Sequence, residues 1–495
     1  MSRKKKLLLN ALVGIIKQII TIGCGFLLPR YMLLYYGSSV NGLVSSITHF
    51  LSFISFLDMG VGAVIQSNLY KPLSENNSYQ ISLIVKSSER FFRHIALIFI
   101  VYIITLCFIF PLMVEYEAIY TISLLLIIAI STLSQYLFGM TYQLLLNADQ
   151  KAYIQLSLQL GTTILNTILS IVLMRRGASI HLVKMAAATV YILRPVGQMV
   201  YVHRHYCIDR KIAIVGEPIK QKWNGVSQHI AAVVCQNIDV TVLTLFSTLE
   251  NVSIYSVYFN VTNGVQQLFM TAATGLESLF GNMIAKDEKE KLSKVFSAVE
   301  WVTHLGVTML FTIAAITIVP FISVYTRGIK DVNYNAPLFG LILVAAYGAQ
   351  CLRVPYFRII KAAGHFKETQ NGAYISAGLN IALTMALVFR YGLVGAATGT
   401  LAAMLYHSFY FVWYLKDNIL NRSVKYFIGY LITDLLVSGA SFLLTQGMKM
   451  GNLTYTSWLL LAVKVSVTVA VVSVITNLTI YRTQVKNLIL LLKRR

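Results

Sequence analysis

The chain has 495 residues, 57% of them hydrophobic and only 12% charged. A soluble globular domain carries roughly 25% charged residues, so a soluble enzyme and a disordered protein are excluded and an integral membrane protein is implied. The net charge of +22, from 41 Lys+Arg and 19 Asp+Glu, would suggest nucleic acid in a soluble protein; in a membrane protein it reads as loop charge that sets topology, with no nucleic-acid partner.

The opening residues, MSRKKKLLLNALVG, put a charged stretch before an apolar run. Asn10, Lys17 and Gln18 interrupt that run and no small-x-small cleavage site follows, so it reads as an uncleaved first transmembrane helix. A span needs about 20 mainly apolar residues. Fourteen stretches qualify, at 8–30, 40–70, 91–112, 118–147, 153–174, 182–203, 225–248, 253–285, 295–323, 335–361, 369–389, 393–414, 426–446 and 456–480. The loops between them leave no room for a soluble catalytic domain. With a cytoplasmic N-terminus, the inward segments hold 29 of the Lys and Arg residues, and the outward loops hold six: Arg175, Arg176, Arg327, Lys330, Arg390 and Lys449. That bias predicts an even number of spans with both termini inside.

An internal repeat organises the chain. Residues 165–176 read LNTILSIVLMRR and residues 379–390 read LNIALTMALVFR. Leu165, Asn166, Leu169, Leu173 and Arg176 thus recur 214 positions later as Leu379, Asn380, Leu383, Leu387 and Arg390. Two sets of six helices in one orientation mark a two-lobed transporter with a central cavity. The expected architecture is an all-α polytopic membrane protein of about 14 transmembrane helices. It comprises an N-lobe at 1–205, a cytoplasmic linker at 206–224, a C-lobe at 225–415, two further helices within 426–480 and a basic cytoplasmic tail at 481–495.

Polar residues in lipid are costly and turn toward protein or water. The second span carries Asn41, Ser45, Thr48, Ser52, Ser55, Asp58, Gly62 and Gln66. The eighth carries Asn260, Asn263, Gln267, Thr271, Thr274, Glu277 and Gly281. Spacings of three or four put each set on one helical face, which predicts a water-accessible cavity between the lobes; interhelical packing is the alternative. Lys17 lies deep in the first span, which ends near Pro29 and Arg30. The tenth span carries Gln350 and Arg353, the sixth carries Arg194 before Pro195, and the seventh carries His229 and Asp239 on one face. Lys184 begins its span and is expected to snorkel to the interface. Glu300 and His304 are expected to form an i,i+4 pair, and Asp434 and Lys464 to pair with each other. His49 and His407 read as neutral, satisfied histidines. The five cysteines form no CxxC pair, and no P-loop, HExxH or GxSxG occurs. No enzyme activity, cofactor or metal is therefore expected.

The segments LPRYMLLYYGSSVNGL (28–43) and FLSFISFLDMGVGAVIQSNLYKPL (50–73), after a basic start, resemble the Wzx-type polysaccharide and O-antigen flippases of the multidrug/oligosaccharidyl-lipid/polysaccharide (MOP) exporter superfamily. The resemblance implies alternating access by two six-helix lobes and movement of a polyprenyl-diphosphate-linked oligosaccharide from the inner to the outer leaflet of the bacterial cytoplasmic membrane. It implies membrane lipids, and glycan polymerase and glycosyltransferases of the same pathway, as partners. Cavity cations of that family receive the diphosphate or acidic sugars; the matching positions are Lys17, Arg30 and Arg353, with Arg194. Asn41, Ser45, Ser52, Asn260, Asn263, Gln267 and Gln350 would line the cavity. Asp58, Asp239, Glu277 and His229 are the candidates for binding a coupling proton or Na⁺. Three other readings stay open: a lipid-linked peptidoglycan precursor flippase, a cation-coupled drug exporter, and a membrane glycan polymerase or ligase, which the short loops disfavour.

Overall fold

The computed structural model describes residues 3–57, 59–209, 212, 226–482 and 484, with 3, 4, 7, 59, 60 and 226–232 as backbone only. Asp58, the side chain of His229 and most of the expected linker at 206–224 lie outside the described residues. The chain divides into two compact units, Met1–Ser253 and Ile254–Arg495.

In the first unit the helices are α1 (Arg3–Ser52), α2 (Met59–Ser74), α3 (Ser78–Ile109), α4 (Ala118–Ser134), α5 (Met140–Ala148), α6 (Ala152–Arg175), α7 (Ile180–His205) and α8 (Val226–Phe246). At 1.5 Å per residue, a straight helix of 50 residues would reach about 75 Å, more than twice a hydrocarbon core of about 30 Å. α1 is not straight: Gly37 adopts φ 81° and ψ 175°, a left-handed φ that suits glycine, and breaks the helix in two. A 3₁₀ turn at Phe53–Leu57 follows α1, and a π-helical turn at Gln135–Gly139 joins α4 to α5. Asn77 and Ser179 cap α3 and α7 by accepting the Gln80 and Leu182 amides, the usual use of such side chains at helix starts. α1 packs on α6, α6 on α7, and α8 on α1. Leu43, Ile47, Phe92, Phe99, Phe110 and Leu145 form part of the core.

Four groups tie the start of α1 to the ends of α5 and α7. Asp149, between α5 and α6, accepts Lys6 Nζ at 3.1 Å, Lys151 Nζ at 2.7 Å and the Tyr206 hydroxyl at 2.5 Å. Asn10 reinforces the tie, donating to the Gln150 carbonyl and accepting the Tyr153 amide. Burial alone would raise the Asp149 carboxyl; the bonds from Lys151, Tyr206 and Lys6 outweigh it and hold the group below its ordinary value. Burial and the Asp149 carboxylate push the Tyr206 phenol up.

In the second unit the helices are α9 (Leu249–Ala272, beginning just before the division), α10 (Leu276–Ala285), α11 (Lys289–Tyr325), α12 (Pro337–Leu352), α13 (Val354–Ala362), α14 (Phe366–Asn418), α15 (Lys425–Thr445) and α16 (Tyr455–Ile480). α14 has 53 residues and, like α1, breaks at a glycine of positive φ, Gly392. α12 packs on α14, while α11 carries α12, α15 and α16. Phe280, Phe296, Tyr356, Phe411 and Phe427 form one buried cluster. Exposed Leu460, Val463, Val467, Val471 and Val474 run down α16, a face suited to lipid rather than water.

Among the described residues, nine helices are long and apolar enough to cross a membrane, and residues 233–246 form a shorter apolar helix. Two of the nine are the glycine-broken α1 and α14. The chain is a multi-pass, all-helical membrane protein.

Candidate substrate site

The first unit holds an open cavity of about 450 Å³, within the roughly 300–1,000 Å³ of small-molecule sites. α1 and the 3₁₀ turn give it Thr48, Ser52 and Ser55; α4 gives Ser131 and Thr132; α6 gives Asn166 and Ser170; α7 gives Lys184 and Tyr191. The hydroxyl protons have definite destinations. Thr48 donates to the Val44 carbonyl at 2.7 Å, Ser55 to Ser52 at 2.7 Å and Ser131 to Ile128 at 3.0 Å. Such bonds to the preceding turn leave oxygen lone pairs on the cavity wall. Asn166 accepts the Ser170 hydroxyl and donates to the Tyr191 oxygen, both at 3.1 Å.

Lys184 does not snorkel. Its Nζ stands 3.8 Å from Met32 Sδ, a weak acceptor, and the residue lines the cavity. No carboxylate among the described residues lines it. The Lys184 ammonium, with no carboxylate beside it, can receive negative charge, while the hydroxyl lone pairs on the wall suit hydrogen-bond donors of a ligand.

Further along α7 lies a second cationic group. Arg194 donates to Gln143 Oε1 at 3.1 Å and Gln155 Oε1 at 3.4 Å, and its Nε is buried with no partner. Gln135 also donates to Gln143, at 3.2 Å. Gln198 is fully buried with neither amide atom bonded. Lys17 of α1 lies within electrostatic reach of Arg194. The expected substrate cations Lys17 and Arg194 thus share one region, and neutral carboxamides hold Arg194. Sequence reading missed Lys184, although Lys184, Tyr191, Arg194 and Gln198 recur at spacings of seven, three and four, one face of α7. That stripe was the available signal.

The other expected residues are dispersed. Arg30 is half-buried on α1, one residue past Pro29. Asn41 is buried and donates to Ser253 at 2.8 Å; Ser45 is half-buried. Ser52 lines the cavity and also bonds Asn237 of α8 at 2.7 Å, as His49 does at 2.8 Å. Asp239 is buried on α8. In the second unit, Asn260 and Asn263 are half-buried and Gln267 is exposed. Gln350 accepts from Gln266 at 2.8 Å. Arg353 is bonded to His407 and stacks over Phe411 at 5.8 Å.

Two expected pairings are replaced, and Glu277, expected as a coupling candidate, is itself paired. Glu277 is bound by Arg358 at 3.0 Å and Lys361 at 3.2 Å, fastening α10 to α13. Glu300 is paired with Arg422 and accepts the Tyr356 hydroxyl. His304 Nδ1 meets Asp434 at 2.6 Å, and Thr308 donates to the other Asp434 oxygen at 2.6 Å, while Lys464 is exposed on α16. Sequence separation hid these contacts, because each acid meets a partner on a distant segment of the chain.

No family model matches the sequence, and no curated protein matches it. Solved structures do match. The lipid II flippase MurJ, in an inward closed conformation, is 16% identical, with 97% of this chain and 100% of that chain covered and a TM-score of 0.70. An inward-facing multidrug resistance MATE family transporter of the MOP superfamily is 12% identical, with 81% and 97% covered and a TM-score of 0.57. The fold is that of the MOP-superfamily transporters. A MOP transporter from Pyrococcus furiosus, described as having a binding pocket of reverse polarity, is 14% identical, with 86% and 98% covered and a TM-score of 0.57. At 12–16% identity these structures share their fold with this chain, and a shared fold does not fix what a site binds.

Proposed function

We propose that the chain is a flippase for a polyprenyl-diphosphate-linked oligosaccharide, moving it from the inner to the outer leaflet of the bacterial cytoplasmic membrane by alternating access of two six-helix lobes. Both termini are cytoplasmic in this reading, and fourteen spans cross the bilayer. The carrying observation is the polar interior of the first unit. Lys184 lines the cavity among hydroxyl oxygens, and Arg194 is held by two carboxamides with Lys17 within its electrostatic reach; no ion pair to a carboxylate is found for these three among the described residues. A diphosphate needs cations in a low dielectric, and sugar hydroxyls need acceptors. Lys17, Arg30 and Arg194 of the first unit would receive the diphosphate, and the hydroxyl oxygens of its cavity would meet the sugars; in the second unit Arg353 and the polar faces of α9 and α12 remain candidates for the same cargo. Asp58, Asp239, Glu277 and His229 remain the acids and base considered for ion coupling.

The likeness to MurJ over the whole chain favours a second reading, a lipid-linked peptidoglycan precursor as cargo. Reconstitution separates them. Purified protein in proteoliposomes is given a labelled polyprenyl-diphosphate oligosaccharide or labelled lipid II, and arrival at the opposite leaflet is followed. Faster movement of the oligosaccharide, reduced about tenfold or more by Arg194→Gln at equal folded protein, is expected. Movement of lipid II alone would favour the second reading, and ion-driven efflux of a cationic dye would move the chain to the drug exporters.

A further inference from the structure

The second unit holds an ionisable cluster that the substrate reading does not use. His304 of α11 is 2% exposed, and its Nδ1 faces Asp434 of α15 at 2.6 Å. Its ring stacks on Tyr430 with centroids 5.0 Å apart. Beside it is a cavity of about 10 Å³, lined by His304, Asp434, Trp301, Ser473, Asn477 and Tyr481 among others. That is about the space one water occupies. Two buried polar atoms of the residues around it have no partner, His304 Nε2 and Ser473 Oγ.

Charge accounting shows what the cluster lacks. On α11, Glu300 lies one turn before His304 and is neutralised by Arg422, with Tyr356 of α13 donating to it. α15 contributes Asp434 and Tyr430, and α16 contributes only the neutral Ser473 and Asn477, with Tyr481 just beyond its end. Among the described residues, Asp434 is therefore the one uncompensated charge facing the cavity, unless His304 carries a proton. A membrane interior disfavours a lone carboxylate strongly. One added proton makes the cluster neutral, and it belongs to the pair rather than to either residue. Tyr481 and Thr433, bonded at 2.9 Å, line the same cavity where α16 ends. They extend the polar lining to the end of α16.

We propose that His304 and Asp434 form a proton-binding site in the second unit, loaded through this water-sized cavity, and that its occupancy sets how α15 packs on α11. Loading is a simple proton transfer from water to the pair. As a site of energy coupling it rests on the transport reading above; as a proton site it does not.

Trp301 gives a direct readout, because it lines the cavity and donates to Asn477 Oδ1 at 2.8 Å. The full-length protein is titrated between about pH 5 and 8, the range in which histidine changes charge, and its tryptophan emission is followed. One step is expected. Trp301→Phe removes it and so identifies the reporter. His304→Gln abolishes the step, and Asp434→Asn displaces its midpoint, since the proton is shared by the pair. No step in the wild type, or a step that survives His304→Gln, overturns the site; if His304→Gln does not fold, an unmoved midpoint in Asp434→Asn overturns it. In proteoliposomes, dependence of lipid-linked oligosaccharide movement on a pH gradient is expected in the wild type and lost in Asp434→Asn. Unchanged gradient dependence in that variant overturns the coupling role. Absence of movement by the wild type counts against the transport reading alone, because the emission titration stands without it.

Discussion

Asn166 and Asn380, 214 positions apart in sequence, each accept a hydroxyl proton from the residue one helical turn later: Ser170 for Asn166 and Thr384 for Asn380, both at 3.1 Å. Each also meets a hydroxyl of a later helical segment, Tyr191 for the first and Thr400 for the second. The repeat therefore extends to a hydrogen-bonding unit. The copies differ in one respect. The Asn166 amide donates to Tyr191, whereas the Asn380 amide nitrogen is buried without a partner. A buried unsatisfied donor costs about 1–3 kcal/mol. Asn166→Ala is thus expected to destabilise more than Asn380→Ala, by about 1 kcal/mol or more. Thermal unfolding of the two variants checks this, and equal losses would refute the accounting.

Tyr206→Phe removes one donor from Asp149 and leaves the packing, so a loss of about 1 kcal/mol is expected. The pH dependence has a definite sign. The Asp149 carboxyl is held below its ordinary value of 3.8, so its contribution is complete above that pH and is lost as the pH falls through the lower folded value. Unfolding temperatures measured downward from pH 5 are expected to fall more steeply in the wild type than in Asp149→Asn. Parallel curves would show that the tie contributes nothing.

Much of the fold was legible because its cause is compositional. Long apolar runs between short loops have few solutions in lipid other than helices. Even the breaks in α1 and α14 fall where the sequence expectation ended one span and began the next, near Gly37 and Gly392. Side-chain direction was not legible. Lys184 sits where a lysine usually reaches back to the interface, but its ammonium turns to Met32 and the cavity, a choice made by neighbours 152 positions away. Glu277 looked like an embedded acid on a polar stripe, yet Arg358 and Lys361 of α13 reach it across the α10–α13 contact. The stripe itself was real as a periodicity. Periodicity says which residues share a face and not what that face meets.

The Glu277 triad is about a third exposed at the acid, with side-chain exposures of 34% for Glu277, 22% for Arg358 and 36% for Lys361. Solvent screening discounts such pairs, so Glu277→Gln is expected to cost only about 1 kcal/mol. A double-mutant cycle with Arg358→Met should give a coupling of about 0.5–1 kcal/mol that shrinks as salt rises. Were Glu277 to load a coupling ion, the two cations would have to release it. Glu277→Gln should then change the ion dependence of transport as well as stability, and a change in stability alone would confine it to fastening α10 to α13.

Lys184 separates function from stability more sharply. Its cation has a thioether for a neighbour and no carboxylate in its cavity, and a lysine within a membrane costs roughly 2.5–3.5 kcal/mol at a helix centre. Lys184 lies nearer the start of α7, so the cost there is smaller, about 1–2 kcal/mol. Lys184→Met keeps most of the volume and removes the charge. A residue kept for packing would make that change neutral or harmful to stability, with transport following stability. A residue kept to receive negative charge gives the opposite pattern, a more stable protein that transports less. The expected outcome is an unfolding temperature raised by a few degrees, with lipid-linked oligosaccharide movement reduced about tenfold and partly restored by Lys184→Arg. Arginine keeps the charge but not the shape, so restoration there would trace the loss to charge. Lower stability with unchanged transport in Lys184→Met would remove the residue from the site.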